Sequence, residues 1–218
     1  MAGNYVIHDV AIFDGEQLLD GRHTVVIDAG RIADILPAGA VPASLLEEAR
    51  SSGRLVAGEG RTLLPGLIDL HVHLTWSAGA DPVATLALET PEQTLLRSVG
   101  HGLAQRDAGI TTVRDLGSPH DLAIRLSEAV AAGWVPGPRI IASGRTLIMT
   151  GGHDPFWGLM VDGPAEALKG VRTQLFAGAQ VIKVSATGGV YGRAAGEAVD
   201  DVELLPEELA IITQQAHR

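Results

Sequence analysis

The sequence contains no cysteine. Its absence excludes a disulfide framework, a thiolate metal site and a cysteine nucleophile. Aromatic residues are scarce, at 4% of the 218 residues, whereas hydrophobic residues make up 46%. That hydrophobic share is typical of globular proteins and argues against a disordered chain.

Positive charge is also in short supply, with 16 Lys and Arg against 26 Asp and Glu, a formal net charge of −10. Nucleic acids and anionic membrane surfaces both require a basic face, so neither is an expected partner. No apolar run approaches the roughly 18 residues that span a bilayer, and the N-terminus does not resemble a signal peptide. We therefore expect a cytoplasmic protein.

Residues 1–64 have the pattern of a small β layer. β-Branched segments such as 5–13, 23–27 and 31–36 are separated by turn signals, including Asp14-Gly15. This short spacing between turns is typical of an all-β unit.

From Pro65 onward, strands alternate with helices. The predicted strands are 67–73, 110–115, 139–143 and 180–185, and the predicted helices are 91–108, 119–132, 165–177 and 206–217. Strict alternation predicts a parallel sheet with helices outside it, either an open sheet or part of a barrel.

His71 and His73 end the first of these strands. Residues two apart on a strand share a face, so both imidazoles point the same way at the carboxyl end of a parallel strand. Two neutral imidazoles on one face form half of a metal site. The alternative is a pair of histidines in a polar loop.

Lys183 lies among β-branched residues in the last predicted strand. A lysine in a buried strand needs a partner or an exit to solvent, because an unpaired buried charge is costly. A third option is reaction of the neutral amine with carbon dioxide to give a carbamate, an anionic oxygen ligand. By contrast, Arg114 and Asp115 are expected to form a structural ion pair.

Five segments together resemble the amidohydrolase superfamily, in its imidazolonepropionase-like and Xaa-Pro dipeptidase (prolidase) branch. They are LPGLIDLHVH (64–73), GITTVRDLG (109–117), GPRIIASG (137–144), TGGH (150–153) and IKVSATGGV (182–190). The resemblance runs in order along essentially the whole chain.

The resemblance implies the first half of a metal-dependent hydrolase (β/α)8 TIM barrel, preceded by part of a small β-sandwich. Residues 1–64 would be the N-terminal part of that composite sandwich, and residues 65–218 would supply barrel strands one to four. His71 and His73 would be metal ligands, and Lys183 the carbamylated bridge between two divalent metal ions, with zinc expected. A metal-bridging hydroxide would attack the substrate carbonyl.

The family's later histidines and its aspartate have no counterpart here, so the remaining base is expected outside this chain. We expect the chain to be a piece of a longer protein, with the C-terminal half of that protein as its partner. A homo-oligomer is compatible with the sequence.

Three further residues are candidates for substrate binding. His153 follows two glycines in a loop of the kind that lines a barrel mouth. Tyr191 offers a hydroxyl donor, and Arg193 offers bidentate binding of a carboxylate. Loop packing or solvation is the alternative for each. Packing is likewise the expected role of Trp76 and Trp157.

The leading function is cleavage of an amide C–N bond in a small substrate, a dipeptide or N-acyl amino acid, as in a prolidase. One alternative is a truncated half-barrel that is catalytically incomplete and acts as an assembly partner. Another is a cyclic-amide hydrolase of the imidazolonepropionase type, against which Lys183 argues. A nucleotide-binding domain lacks support, because neither glycine pair is followed by the spacing of a phosphate loop.

Overall fold

A computed structural model of the protein describes residues 4–189 and 198–218. The chain divides into two compact units, with the division between Pro65 and Gly66. None of the helices in the described residues has the length and apolarity needed to cross a membrane.

The first unit is a small sheet with one helix. Its elements are β1 (Tyr5–Ile12), β2 (His23–Asp28), β3 (Arg31–Pro37), α1 (Ala43–Ser51), β4 (Leu55–Ala57) and β5 (Thr62–Leu63). β1, β2 and β3 pair antiparallel, while β4 and β5 both lie parallel to β1. Val10, Ile12 and Val25 form its buried core. Its membership of a sandwich completed by other segments stays a prediction.

The second unit is built on a parallel sheet of three strands. The strands are β6 (Leu67–Val72), β7 (Ile110–Asp115) and β8 (Arg139–Ala142), in the order β6-β7-β8. A separate parallel pair is formed by β9 (Thr146–Ile148) and β10 (Gly158–Met160). The helices are α2 (Pro82–Leu88), α3 (Pro91–Asp107), α4 (Leu122–Ala131), α5 (Gly163–Ala177) and α6 (Pro206–Ala216).

The boundaries of α3 follow from local chemistry. The Thr90 hydroxyl accepts the Gln93 amide, and the Gln93 side chain accepts the Thr90 amide, which is a complete capping box. The helix ends before Gly109, which takes a left-handed φ of 90°. This helix, predicted from the sequence as 91–108, is therefore confirmed.

Two apolar clusters hold the second unit together. The first packs the sheet against α4 and includes Val113, Ile140, Ile124 and Leu126. The second joins β9 to α5 and α6. α4 thus covers the three-stranded sheet, and α5 covers β9.

The predicted strand 180–185 is wrong as a full strand. The described residues contain only one bridge there, between Leu147 and Val184, with the Leu147 amide donating to the Lys183 carbonyl at 2.9 Å. Gly144 turns the chain after β8 with a left-handed φ of 68°. Only a short segment around Leu147 is therefore aligned with residues 183–185.

We predict that Ile140→Ala lowers the free energy of unfolding by about 2–5 kcal/mol, because it leaves a cavity in the first cluster. All three tryptophans lie after Gly66, so tryptophan fluorescence in urea reports on this unit alone. The matched control is Leu96→Ala on α3, where the residue is 72% exposed, and it should change stability by less than about 0.5 kcal/mol. Equal effects of both changes would contradict this core.

Candidate active site

His71 and His73 lie together at the carboxyl end of β6. His71 is the fifth of the six residues of this strand, and His73 is the first residue after the strand. Their ring centroids are 5.3 Å apart with planes inclined at 65°. The Asp69 carboxylate accepts the His71 backbone amide at 3.0 Å, which fixes the end of the strand. The two rings are thus adjacent, as the H-x-H spacing predicts.

The hydrogen bonding of His73 defines its tautomer. Its Nδ1 lies 3.0 Å from the Gly117 carbonyl oxygen. A carbonyl only accepts, so Nδ1 carries the proton and Nε2 of the neutral ring keeps its lone pair. Burial lowers the pKa of His73, and the charges of His71 and Lys183 lower it further. The hydrogen bond to the Gly117 carbonyl and the charge of Asp154 act in the opposite direction. The neutral ring is the form that binds metals.

Asp115, at the end of β7, is fully buried and accepts two backbone amides. Its Oδ2 receives the Leu74 amide at 2.7 Å, and its Oδ1 receives the Gly117 amide at 3.2 Å. Burial raises the pKa of Asp115 to about 7, although both amide bonds act in the opposite direction. The Asp115 carboxyl group therefore holds Leu74, which follows His73 in sequence. It also holds Gly117, whose carbonyl accepts the hydrogen bond from His73.

The expected ion pair between Arg114 and Asp115 is wrong. The Arg114 side chain donates instead to the Leu70 carbonyl at 2.7 Å. Adjacent residues of a strand point to opposite faces, so Asp115 enters the interior while Arg114 stays on the exposed face. The sequence analysis did not predict the two backbone contacts of Asp115.

Helix α3 braces the loop that follows β6. His101 Nδ1 donates to the Leu74 carbonyl at 2.8 Å, and Arg97 donates to the Thr75 carbonyl at 3.1 Å. Arg97 is itself held by two bonds of 2.7 Å to Glu89. The backbone just beyond His73 is therefore fixed by side chains of α3 as well as by Asp115.

Lys183 lies partly buried, and its charge acts on His73. Among residues 4–189 and 198–218, no carboxylate lies within ion-pair distance of its ammonium group. The ion-pair alternative for this lysine thus has no partner in that part of the chain.

His153 packs against the segment that follows Lys183. Its backbone amide donates to both oxygens of the buried Glu203, at 3.0 and 2.8 Å. Its Nε2 lies 3.2 Å from Asp154, whose other oxygen accepts the Ser185 hydroxyl at 3.1 Å. A Cβ at Gly189 would lie 2.2 Å from the His153 ring, so only glycine fits there.

Tyr191 and Arg193, the other predicted substrate-binding residues, lie outside the described residues. Over the described ranges, no three His, Asp or Glu side chains are arranged to hold a metal ion. The structure does bring the rings of His71 and His73 together, and the charge of Lys183 acts on His73.

Aromatic rings cover one side of His73. Trp157 stacks on it with centroids 4.6 Å apart, Trp76 meets Trp157 at 4.8 Å, and Phe156 lies 5.5 Å from Trp76. A Cβ at Gly117 would lie 2.5 Å from the Trp157 indole nitrogen, so glycine is needed for this approach. These rings come from two distant segments, and no local sequence pattern identified them as a cluster.

Known proteins resemble this chain, two of them over nearly all of its residues and one over a third. Ochratoxinase from Aspergillus niger is 28% identical over an alignment of 231 positions. The alignment covers 94% of this chain and 46% of that protein. The crystal structure of a Xaa-Pro dipeptidase with methionine bound in its active site matches with a TM-score of 0.79 and 27% identity, over 99% of this chain and 54% of that one. Imidazolonepropionase from Ectopseudomonas mendocina (strain ymp) is 42% identical over 69 residues, 32% of this chain and 16% of that protein.

The chain spans about half the length of the ochratoxinase and of the dipeptidase. The match confirms the fold class expected from the sequence, α/β and corresponding to the first half of an amidohydrolase barrel. The model of the amidohydrolase family matches residues 62–218. On this evidence, the chain belongs to the amidohydrolase family.

Proposed function

We propose that this chain carries part of the active site of a metal-dependent hydrolase that cleaves the amide C–N bond of a small substrate. The observation that carries the proposal is the pair of adjacent imidazoles at the end of β6, with Nε2 of His73 left unprotonated. Membership of the amidohydrolase family supports the same reaction class.

The donor chemistry of the site fits a divalent metal such as zinc. Neutral imidazoles are common zinc ligands, and a ligating histidine typically donates its other ring N–H to a carbonyl or carboxylate, as His73 does to Gly117. His71 and His73 would hold the metal, and Lys183 would contribute as a carbamate that bridges two metal ions. In forming the carbamate, the neutral amine bonds to the carbon of carbon dioxide and releases a proton.

A metal held in this way supplies a lowered pKa for bound water and polarisation of the substrate carbonyl. The chain's own residues have other tasks. Gly117 and Asp115 fix the orientation of His73, and Trp157 shields one face of that ring from water. His153, in the loop between β9 and β10, would face the substrate. Tyr191 and Arg193 remain candidates for binding its polar groups.

The remaining ligands and the catalytic base would come from a C-terminal half of the same protein. β6 is an edge strand of its sheet, and its side chains Ile68 and Leu70 are 62% and 56% exposed. The unpaired backbone of an edge strand and its exposed apolar side chains both favour a further covering element. We propose that the partner half covers this edge.

For the substrate, we propose a dipeptide or an N-acyl amino acid. Similarity to a Xaa-Pro dipeptidase along 99% of the chain supports this class. A cyclic amide is the second candidate, supported by the local identity to an imidazolonepropionase over 69 residues. Lys183 favours the first class, because a bridging lysine carbamate belongs to sites with two metals.

We predict that His73→Ala lowers zinc affinity and amide turnover by more than about 100-fold. A lost ligand should cost at least as much as the loss of a residue that orients one, which typically costs 10–100-fold. Zinc content is measured by mass spectrometry of the purified protein, and turnover is measured with dipeptides and N-acyl amino acids. Turnover is assayed in the complete protein.

The matched control for this experiment is His217→Ala, because His217 is an exposed histidine near the end of α6. It should retain zinc and turnover. Full zinc content and normal turnover in His73→Ala would contradict the proposed metal site.

We predict that Asp115→Asn lowers the free energy of unfolding by about 1–3 kcal/mol and zinc affinity by about 10–100-fold. Both carboxylate oxygens accept backbone amides, so an asparagine NH2 group must face one of these donors and leave it unsatisfied. Urea unfolding and zinc titration measure the two effects.

Asp14→Asn is the control for this change. Asp14 also accepts two backbone amides, from Glu16 and Gln17, but it is exposed and lies in the first unit. It should leave zinc affinity unchanged. If Asp115→Asn binds zinc as tightly as the unsubstituted protein, Asp115 does not position His73.

A further inference from the structure

The glycines of two sequence motifs, TGGH (150–153) and IKVSATGGV (182–190), make room for contacts around His153. A Cβ at Gly189 would lie 2.2 Å from the His153 ring, and a Cβ at Gly152 would lie 2.6 Å from Glu203 Oε2. Neither glycine has a left-handed φ, so close packing requires glycine at both positions. The two motifs are therefore brought together in space by His153 and Glu203.

Glu203 holds the backbone of His153. The residue is only 4% exposed, and both of its carboxylate oxygens accept the His153 amide, at 3.0 and 2.8 Å. Within residues 4–189 and 198–218, no Lys or Arg nitrogen lies within ion-pair distance of this carboxylate. Burial of a carboxylate without a cation is costly, and a hydrophobic side chain of similar size would avoid that cost. The contact with His153 therefore distinguishes Glu203 from an ordinary core residue.

The backbone of Glu203 is fixed to the segment that follows Lys183. Its amide donates to the Ala186 carbonyl at 2.9 Å, and the preceding residue, Val202, forms an antiparallel bridge with Thr187. Lys183 and Glu203 thus lie on two paired stretches of chain. The Glu203 side chain extends from this pair to the loop that carries His153.

Asp154 ties the same loop to the Lys183 segment a second time. Its Oδ2 accepts the hydroxyl of Ser185, two residues after Lys183, at 3.1 Å, and its Oδ1 lies 3.2 Å from His153 Nε2. Asp154 has a φ of 63°, in the left-handed region that few residues other than glycine adopt. Backbone strain of this kind persists where surrounding contacts hold it, and it concentrates at functional sites. His153 is therefore constrained at its ring as well as at its backbone.

The loop that carries His153 also contacts the candidate metal site. Trp157 belongs to this loop and stacks on His73 with ring centroids 4.6 Å apart. The charges of Asp154 and Lys183 both act on His73. A residue that fixes this loop therefore fixes groups at the edge of the metal site.

We propose that Glu203 is a positioning residue, which sets the place of His153 at the candidate active site by holding its backbone amide. Through Glu203, His153 keeps a fixed position relative to the segment that carries Lys183. The contribution of His153 to turnover rests on the proposed function, whereas the fixed position of its ring is a property of the described chain.

The ring ¹H–¹³C resonances of His153 in the complete protein test this role without any need for turnover. Glu203→Met keeps the approximate length of the side chain but removes both acceptors, so the His153 resonances should shift. Glu203→Gln retains one oxygen that accepts the amide, and it should largely restore the original resonances. Resonances that stay unchanged in Glu203→Met would overturn the proposal.

Dipeptide turnover and zinc content of the complete protein are the second readout. Glu203→Met should lower kcat/KM by about 10–100-fold, the usual cost of losing a residue that orients a functional histidine. Glu203→Gln should recover most of that loss. Zinc content should stay unchanged, because the carboxylate holds His153 and not a candidate ligand. A purely structural Glu203 would change the free energy of unfolding alone, and that result would contradict the proposal.

A further variant guards against misfolding of the Glu203 variants. Gly189→Ala leaves Glu203 in place but puts a methyl group 2.2 Å from the His153 ring, so the ring must move. Its ring resonances and kcat/KM should change as they do in Glu203→Met. The matched control is Gly100→Ala on α3, where nothing lies within 4 Å of the added methyl group, and both readouts should stay unchanged.

The two readouts separate this proposal from the proposed function. If the unsubstituted protein cleaves no amide, the proposed function fails, while the ring resonances still decide whether Glu203 positions His153. If the protein cleaves amides and both Glu203→Met and Gly189→Ala cleave them equally well, the proposed function stands and the positioning role is overturned.

Discussion

The buried carboxyl group of Asp115 is the contact on which the candidate site depends. A carboxylate removed from water is costly unless its oxygens are hydrogen-bonded, and here both oxygens accept backbone amides. Those amides belong to Leu74 and Gly117, which are 43 residues apart in sequence. Since the Gly117 carbonyl accepts the His73 proton, the same carboxyl group sets the loop geometry and the orientation of a candidate ligand.

The surroundings of this contact combine rigid support with apolar cover. On one side, His101 and Arg97 from α3 hold the two carbonyls that follow His73. On the other side, Trp157 stacks on the His73 ring and Gly117 leaves space for the indole. A ligand held by its own hydrogen bond and by packing loses little freedom when it binds a metal, which is how such sites gain affinity.

Local patterns in the sequence were sufficient to predict β6, β7 and β8, the bounds of α3 and the adjacency of His71 and His73. Each of these depends on residues close in sequence, such as the period of two on a strand or the Thr90 cap. The role of Asp115 could not be predicted in this way, because its partners come from another strand and a loop. α2 has only seven residues, too few for a clear periodic pattern. The strand expected at 180–185 had the right composition, but its neighbour turns away at Gly144.

The tautomer of His73 shows whether Asp115 orients this ring through Gly117. Long-range ¹H–¹⁵N correlation spectra of the metal-free protein distinguish a ring protonated at Nδ1 from one protonated at Nε2. We predict that His73 is protonated at Nδ1, and that added zinc shifts the resonance of its Nε2. A ring protonated at Nε2, or zinc bound through Nδ1, would contradict the proposed link from Asp115 through Gly117 to the metal site.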